Sequence, residues 1–181
     1  MSNGRFYESQ FEEATIELLR ESHWQYTFGD DIHRKYTDPL IEEDLRTFLA
    51  AQYKDKKLTA SEVDGIVANL RNTGGQNDYY ALQNTFLLYR DGYDFTYSDG
   101  RDNPFRLQYI DFEHPDHNIF RCVNQFVMEQ GRENRRPDIL LFVNGIPVCI
   151  VELKNPTKQN ATIRDAYTQI CTRYMLSLIH I

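Results

Sequence analysis

The most apolar stretch of the chain, "RPDILLFVNGIPVCIVELK" (Arg136 to Lys154), is bounded by charges. Asp138 stands at one end, Glu152 and Lys154 at the other. Two carboxylates brought within a few ångströms repel unless a cation lies between them. Oxygen-only ligands suit Mg2+, with Mn2+ as an alternative. Such a metal would polarise a phosphoryl oxygen and lower the pKa of a bound water. Lys154 would orient or deprotonate that water, or neutralise charge on the scissile phosphate. The chemistry implied is hydrolysis of a phosphodiester. The plainer reading is an exposed Glu152-x-Lys154 ion pair at a strand end, which adds little stability.

These residues need a frame. "ILLFV" and "IPVCIV" read as two strands buried on both faces, joined at Asn144-Gly145. Cys149 then belongs to the core. Period-2 geometry puts Glu152 and Lys154 on one face and turns Leu153 inward. A strict two-residue turn pairs Val143 with Ile146 and Asp138 with Val151, so Asp138 and Glu152 would face opposite ways. A three-residue loop with Gly145 left-handed pairs Val143 with Pro147 and Asp138 with Glu152. The sequence therefore predicts a bulge or an equivalent irregularity between Val143 and Val148.

The remaining elements fall in two blocks. Arg5 to Glu21 predicts a helix with Phe11, Ala14, Leu18 and Leu19 on its apolar face. Asp38-Pro39 reads as an N-cap and first helical residue for a helix over Leu40 to Tyr53. "TASE", Thr59 to Glu62, is a capping box for a helix burying Val63, Ile66, Val67 and Leu70. A fourth helix covers Tyr79 to Arg90. After Asn103-Pro104, "FRLQYIDF" and "NIFRCVNQFVM" alternate like strands. His114 and His117 in "EHPDH" suggest either a metal site or, the preferred reading, a polar turn between the strands. Helical spacing returns through Ile163, Ala166, Tyr167, Ile170 and Tyr174. The expected class is α+β or α/β: a mixed sheet flanked by helices, with a helical insertion over about 38–90, after the first helix.

Composition narrows the function. The chain has 181 residues, 41% apolar and 26% charged, the balance of one soluble globular domain. Its formal net charge of −7 argues against a surface that binds nucleic acid all over. Arg132 to Arg173, however, carries seven cations against four anions, a local +3 where a phosphate backbone would find its positive face. Arg136 and Lys158 are the candidate backbone contacts. Three scattered cysteines, Cys122, Cys149 and Cys171, with no CxxC pair, suggest no disulfide framework and a reduced, cytoplasmic setting. No run approaches a membrane span. The last six residues, "LSLIHI", look like a translated sequencing adapter, so 176–181 are expected to be a non-native tail.

Pro137-Asp138 followed by Glu152-Leu153-Lys154 across an apolar hairpin resembles the PD-(D/E)xK nuclease motif. "NQFVMEQGRENRRPDILLFVNGIPVCIVELKNPT" is similar to the N-terminal nuclease domain of the restriction (R) subunit of type I restriction-modification enzymes. "ESQFEEATIELLRESHWQYTFGD" has the look of that family's first helix, so the similarity runs from Tyr7 to Tyr174, weakest across Asp38 to Arg90. It implies a restriction-endonuclease-like fold and Mg2+-dependent cleavage of double-stranded DNA, with Asp138 and Glu152 on the metal and Lys154 catalytic. It further implies methyltransferase and specificity subunits as partners, and an ATP-driven motor further along the same polypeptide. No G-x-x-x-x-G-K-[ST] loop occurs in this chain, so ATP belongs to those motor domains. The family carries Gln-x-x-x-Tyr on the helix after the motif. Gln169 fits, whereas Tyr174 comes one residue late. A first-helix glutamate often joins such sites, here Glu8 or Glu12. Two other functions share these residues: a standalone nuclease of repair or mobile elements, and a non-catalytic DNA-binding module of the same fold.

Overall fold

The first helix, α1 (Glu8–Glu21), puts a narrower face inward than its hydrophobicity suggests. Phe11, Glu12, Thr15, Ile16 and Leu19 are half-buried, whereas Ala14 and Leu18 are exposed. The i, i+4, i+8 line through Phe11, Thr15 and Leu19 sets that face, and it carries Glu12 with it. The coordinates are a computed structural model that describes residues 8–73, 78–130, 133–154 and 163–174. The expectation about 176–181 lies outside the described residues.

The described elements that follow are β1 (Gln25–Phe28), α2 (Glu42–Gln52), α3 (Ala60–Arg71), α4 (Asp78–Asp91), β2 (Tyr93–Phe95), β3 (Phe105–Leu107), β4 (Phe120–Asn124), β5 (Met128–Gln130), β6 (Glu133–Arg135), β7 (Ile139–Val143), β8 (Ile146–Val151) and α5 (Ile163–Gln169). A π-helical turn, Ile170–Tyr174, continues α5. The class is the expected one, helices with a mixed four-stranded sheet in the order β1-β4-β7-β8. The chain divides into two compact units.

Of the described residues, one unit takes those up to Pro39, Phe120–Phe142 and those from Pro147 on. Sequence periodicity assigns no strand to Gln25–Phe28, yet β1 runs parallel to β4, Gln25 opposite Arg121 through Phe28 opposite Asn124. Four residues are too few to show a period, and their ladder partner lies far along the chain. "NIFRCVNQFVM" is not one strand. It breaks at Gln125, whose φ is +56°, into β4 and β5. Cys122, Val123, Phe126, Ile139, Leu140 and Phe142 are buried, with Phe126 and Phe142 ring centroids 5.0 Å apart. Arg34 lies 3.4 Å over the Phe126 ring and donates to the Asp38 and Val127 carbonyls. Burial lowers its pKa to about 10, which leaves it charged.

Strand β7 is buried along nearly its whole length, as predicted. Strand β8 is not: Val148 and Cys149 are exposed, because β8 lies at the end of the sheet order. Cys149 is therefore not a core residue, and the described cysteines are all free thiols. Helix α5 also departs from its predicted face. Ile163 and Tyr167 are exposed, and Gln169 is half-buried.

The second unit comprises Leu40–Ile119 and the turn Val143–Ile146. Leu40, Leu45, Phe48, Leu49, Ile66, Val67, Leu70, Leu107 and Tyr109 form its core. Helix α2 begins without a side-chain cap at Ile41, so Asp38 is not its N-cap. Glu42, Glu43 and Asp44 in its first turn complement the helix dipole instead. The Thr59–Glu62 capping box forms as the sequence predicts. Glu62 also pairs with Arg101 at 2.6 and 2.8 Å. Strand β3 is only Phe105–Leu107 and pairs antiparallel with β2, in a separate two-stranded sheet.

The turn joining β7 to β8 is a plain two-residue turn, not the predicted three-residue loop. Asn144 has φ +51° and Gly145 φ +75°, the type I′ signature. Asn144 is fully buried and saturated. Its Oδ1 accepts the Ile119 amide at 2.7 Å, and its Nδ2 donates to the Tyr109 carbonyl and to Asn118 Oδ1. A Cβ on Gly145 would collide with the Ile41 carbonyl oxygen, whose own amide donates to the Gly145 carbonyl at 2.9 Å. These contacts select the tight turn.

Candidate active site

All described members of the predicted constellation lie in the first unit. Asp138 sits in a bend one residue before β7, and Glu152 one residue after β8. Pleat parity holds within a paired strand, so it constrains neither carboxylate. That is why the two-residue turn does not keep Asp138 from the far strand end. Asp138 Oδ2 accepts the backbone amide of Leu153 at 2.7 Å. Leu153 is the residue between Glu152 and Lys154, so the Asp138 carboxylate meets the Glu-x-Lys segment at its middle peptide.

The Glu152 side chain is only 1% exposed. Its Oε2 accepts from Gln169 Nε2 at 2.8 Å and lies 3.5 Å from Lys154 Nζ. Such partners offset part of the cost of burying a carboxylate. Lys154 is 25% exposed, so its ammonium reaches from a buried acid toward solvent. Gln169, assigned by resemblance, thus contacts the motif directly. The i→i+5 bonding of the π turn that follows sets position 174 one π turn after position 169. The side chain of Tyr174, like that of Glu8, and the whole of Lys158 lie outside the described residues. Arg136 is exposed beside Pro137.

Of the two first-helix candidates, Glu12 has a described environment. Its Oε1 accepts from Asn124 Nδ2 at 2.8 Å and Gln125 Nε2 at 3.3 Å. The Gln125 amide donates to the Asp138 carbonyl at 3.3 Å. Gln125 therefore links Glu12 to Asp138, its side chain on one and its backbone on the other. Its left-handed φ is of the kind that accumulates where function fixes the backbone. Tyr26 donates to Asn124 Oδ1 at 3.0 Å, and burial followed by the charge of Glu12 pushes its pKa up. Glu12, Tyr26 and Asn124 line a cavity of about 480 Å³ beside α1. Sequence reasoning assigned no role to Tyr26, Asn124 or Gln125. The available signal is "NQF", Asn124 to Phe126, within the segment that resembles the family.

Carboxylate oxygens are donors of the type a hard divalent cation takes. Asp138 and Glu152 offer carboxylate oxygens at one sheet end, and the described residues bring no thiolate or imidazole to them.

The sequence matches the family described as "Type I restriction enzyme R protein N terminus" over residues 5–178. It is 29% identical over 175 residues to the type I restriction enzyme HindI endonuclease subunit of Haemophilus influenzae, covering 91% of this chain and 16% of that protein. It is also 29% identical over 179 residues to a Methanocaldococcus jannaschii protein, provisionally named the type I restriction enzyme MjaIXP endonuclease subunit, covering 90% and 16%. The chain thus spans about a sixth of the length of these relatives. With a match across almost its whole length, the chain belongs to the family of type I restriction enzyme R protein N termini.

Proposed function

We propose that this chain is the nuclease domain of a type I restriction enzyme R subunit, cutting double-stranded DNA with Mg2+ in defence against foreign DNA. The observation that carries the reading is the convergence of Asp138 on the Leu153 amide, between Glu152 and Lys154. Asp138 and Glu152 would hold the metal. When bound, Mg2+ supplies Lewis-acid activation of a phosphodiester oxygen and of the attacking water. Mn2+ would satisfy the same oxygen donors.

Lys154 reaches out from Glu152 and neutralises charge on the phosphate under attack, or orients the water. Gln169 holds Glu152 in place, and Glu12 acts through Gln125 on the backbone at Asp138. Arg136 and Lys158 contact the DNA backbone, and Tyr174 accompanies Gln169. The relatives' names as endonuclease subunits support a DNA substrate and a multisubunit complex. Methyltransferase and specificity subunits would be the companions, and an ATP-driven motor would lie elsewhere in the polypeptide. Among the described residues no helix is long and apolar enough to cross a membrane. The cytoplasm, where DNA and those partners meet, is the proposed location.

The test is plasmid cleavage by the full-length subunit with its partner subunits, Mg2+ and ATP, comparing wild type with Asp138→Ala and Lys154→Ala. Cutting by both variants at the wild-type rate would remove the assignment. Tight DNA binding without cutting by any form would point to a binding module.

A further inference from the structure

A second cluster of metal-binding side chains lies in the other unit, in the loop before β4. Asp111, His114 and His117 each offer a ligand atom, all within 4.8 Å of one another. From sequence the two histidines fit a polar turn, and a turn does place them. The 3-10 turn Pro115–His117 is closed by the His117 amide on the His114 carbonyl and the Asn118 amide on the Pro115 carbonyl. Three residues per turn eclipse positions i and i+3. The two imidazoles therefore stack, centroids 5.0 Å apart and planes 19° apart.

Both rings direct Nδ1 at one oxygen. Asp111 Oδ2 lies 3.1 Å from His117 Nδ1 and 3.7 Å from His114 Nδ1. Zinc bonds of about 2.0–2.1 Å give tetrahedral ligand–ligand edges of about 3.3 Å, which the two carboxylate–imidazole distances bracket, and the third pair lies within 4.8 Å. The carboxylate is fixed in advance. Asp111 is 5% exposed, its Oδ1 accepts the Glu113 and His114 amides, and Gln52 Nε2 donates to its Oδ2 at 2.9 Å. Bound carboxylates commonly have such supporting donors. The histidine side chains are 61% and 50% exposed, leaving a fourth position open to solvent.

We propose that Asp111, His114 and His117 form a site for Zn2+ or a similar borderline transition metal, distinct in ligand chemistry from the all-oxygen set at Asp138 and Glu152. Two imidazole nitrogens and one carboxylate oxygen suit zinc, cobalt or nickel rather than magnesium. The metal braces the loop. Asn118 donates to the Asp111 and Pro115 carbonyls and accepts from Asn144 Nδ2, so the bracing reaches the Asn144-Gly145 turn.

The test is titration of the purified, chelator-stripped protein with Co2+ and then Zn2+, in excess Mg2+. Wild type is compared with His114→Ala, His117→Ala and Asp138→Ala, all checked for folding by circular dichroism. The expected result is one Co2+ per chain with a visible d–d spectrum, displaced by Zn2+. It is kept in Asp138→Ala and weakened at least about tenfold in each histidine variant. Zn2+ should also raise the melting temperature of wild type and not of the histidine variants. Absence of a spectrum and of a melting shift in wild type would overturn the proposal. So would equal affinity in the histidine variants, or a loss confined to Asp138→Ala.

Discussion

Asp138 accepts the amide of Leu153 at 2.7 Å, although the two residues lie outside the paired strands on either side of a tight turn. This contact joins the "PD" half of the motif to the "ExK" half. It makes Asp138 both a candidate metal ligand and a clamp on the peptide that carries its partners.

Those two roles separate by substitution. Asp138→Asn keeps an oxygen for the Leu153 amide but weakens the metal ligand. It should fold with near-wild-type stability in urea denaturation and lose cleavage. Lys154→Ala should also lose cleavage, by about a hundredfold or more, while retaining DNA binding. A Lys154→Ala enzyme cutting at more than a tenth of the wild-type rate would rule out the lysine's role.

Gln169 donates to Glu152 Oε2 and so holds a proposed metal ligand. Gln169→Ala should therefore raise the Mg2+ concentration for half-maximal cleavage, by about tenfold, and do less harm at saturating Mg2+. A Mg2+ titration of initial rates reads the difference. An unchanged Mg2+ requirement would reduce Gln169 to a packing residue.

The Asn144-Gly145 turn allows little change. Asn144→Ala strips partners from the Ile119 amide and the Tyr109 carbonyl, and should cost about 3 kcal/mol in urea denaturation. Gly145→Ala meets both a positive φ and the Ile41 carbonyl, and should destabilise by more than about 1 kcal/mol.

Acid stability should carry the mark of Glu62. The Arg101 guanidinium, helped by the Thr59 amide, lowers its pKa from 4.5 to about 2. A carboxyl depressed on folding stabilises fully above its unfolded pKa and loses that contribution as pH falls through its folded value. The window here is about pH 4.5 down to about 2. Glu62→Gln should lower stability at neutral pH and flatten its fall across that window, measured by urea unfolding at a series of pH values.

Features encoded by neighbouring residues were legible in the sequence. The Thr59–Glu62 box needs only four residues to declare itself, and Asn-Gly between apolar runs is a local turn signal. The candidate site residues stand out through the Glu152-x-Lys154 spacing and its resemblance to a nuclease motif, not through charge at a strand end, which is common. Long-range pairing was not legible. Strand β1 exists because Gln25–Phe28 finds β4, and nothing in four residues announces that partner. Gln125 joins Glu12 to Asp138 only once α1, β4 and the bend before β7 come together. The predicted loop failed for a different reason. Strand parity was extended one residue too far at each end, where the backbone no longer pleats.

The π turn after Gln169 bears on how such sites are found. A search string with a fixed gap of three residues between glutamine and tyrosine discards this chain. Were Tyr174 to serve as that tyrosine, the widened helical turn Ile170–Tyr174 would carry its one extra residue. A pattern that permits a gap of four at this point would then keep this chain among the matches.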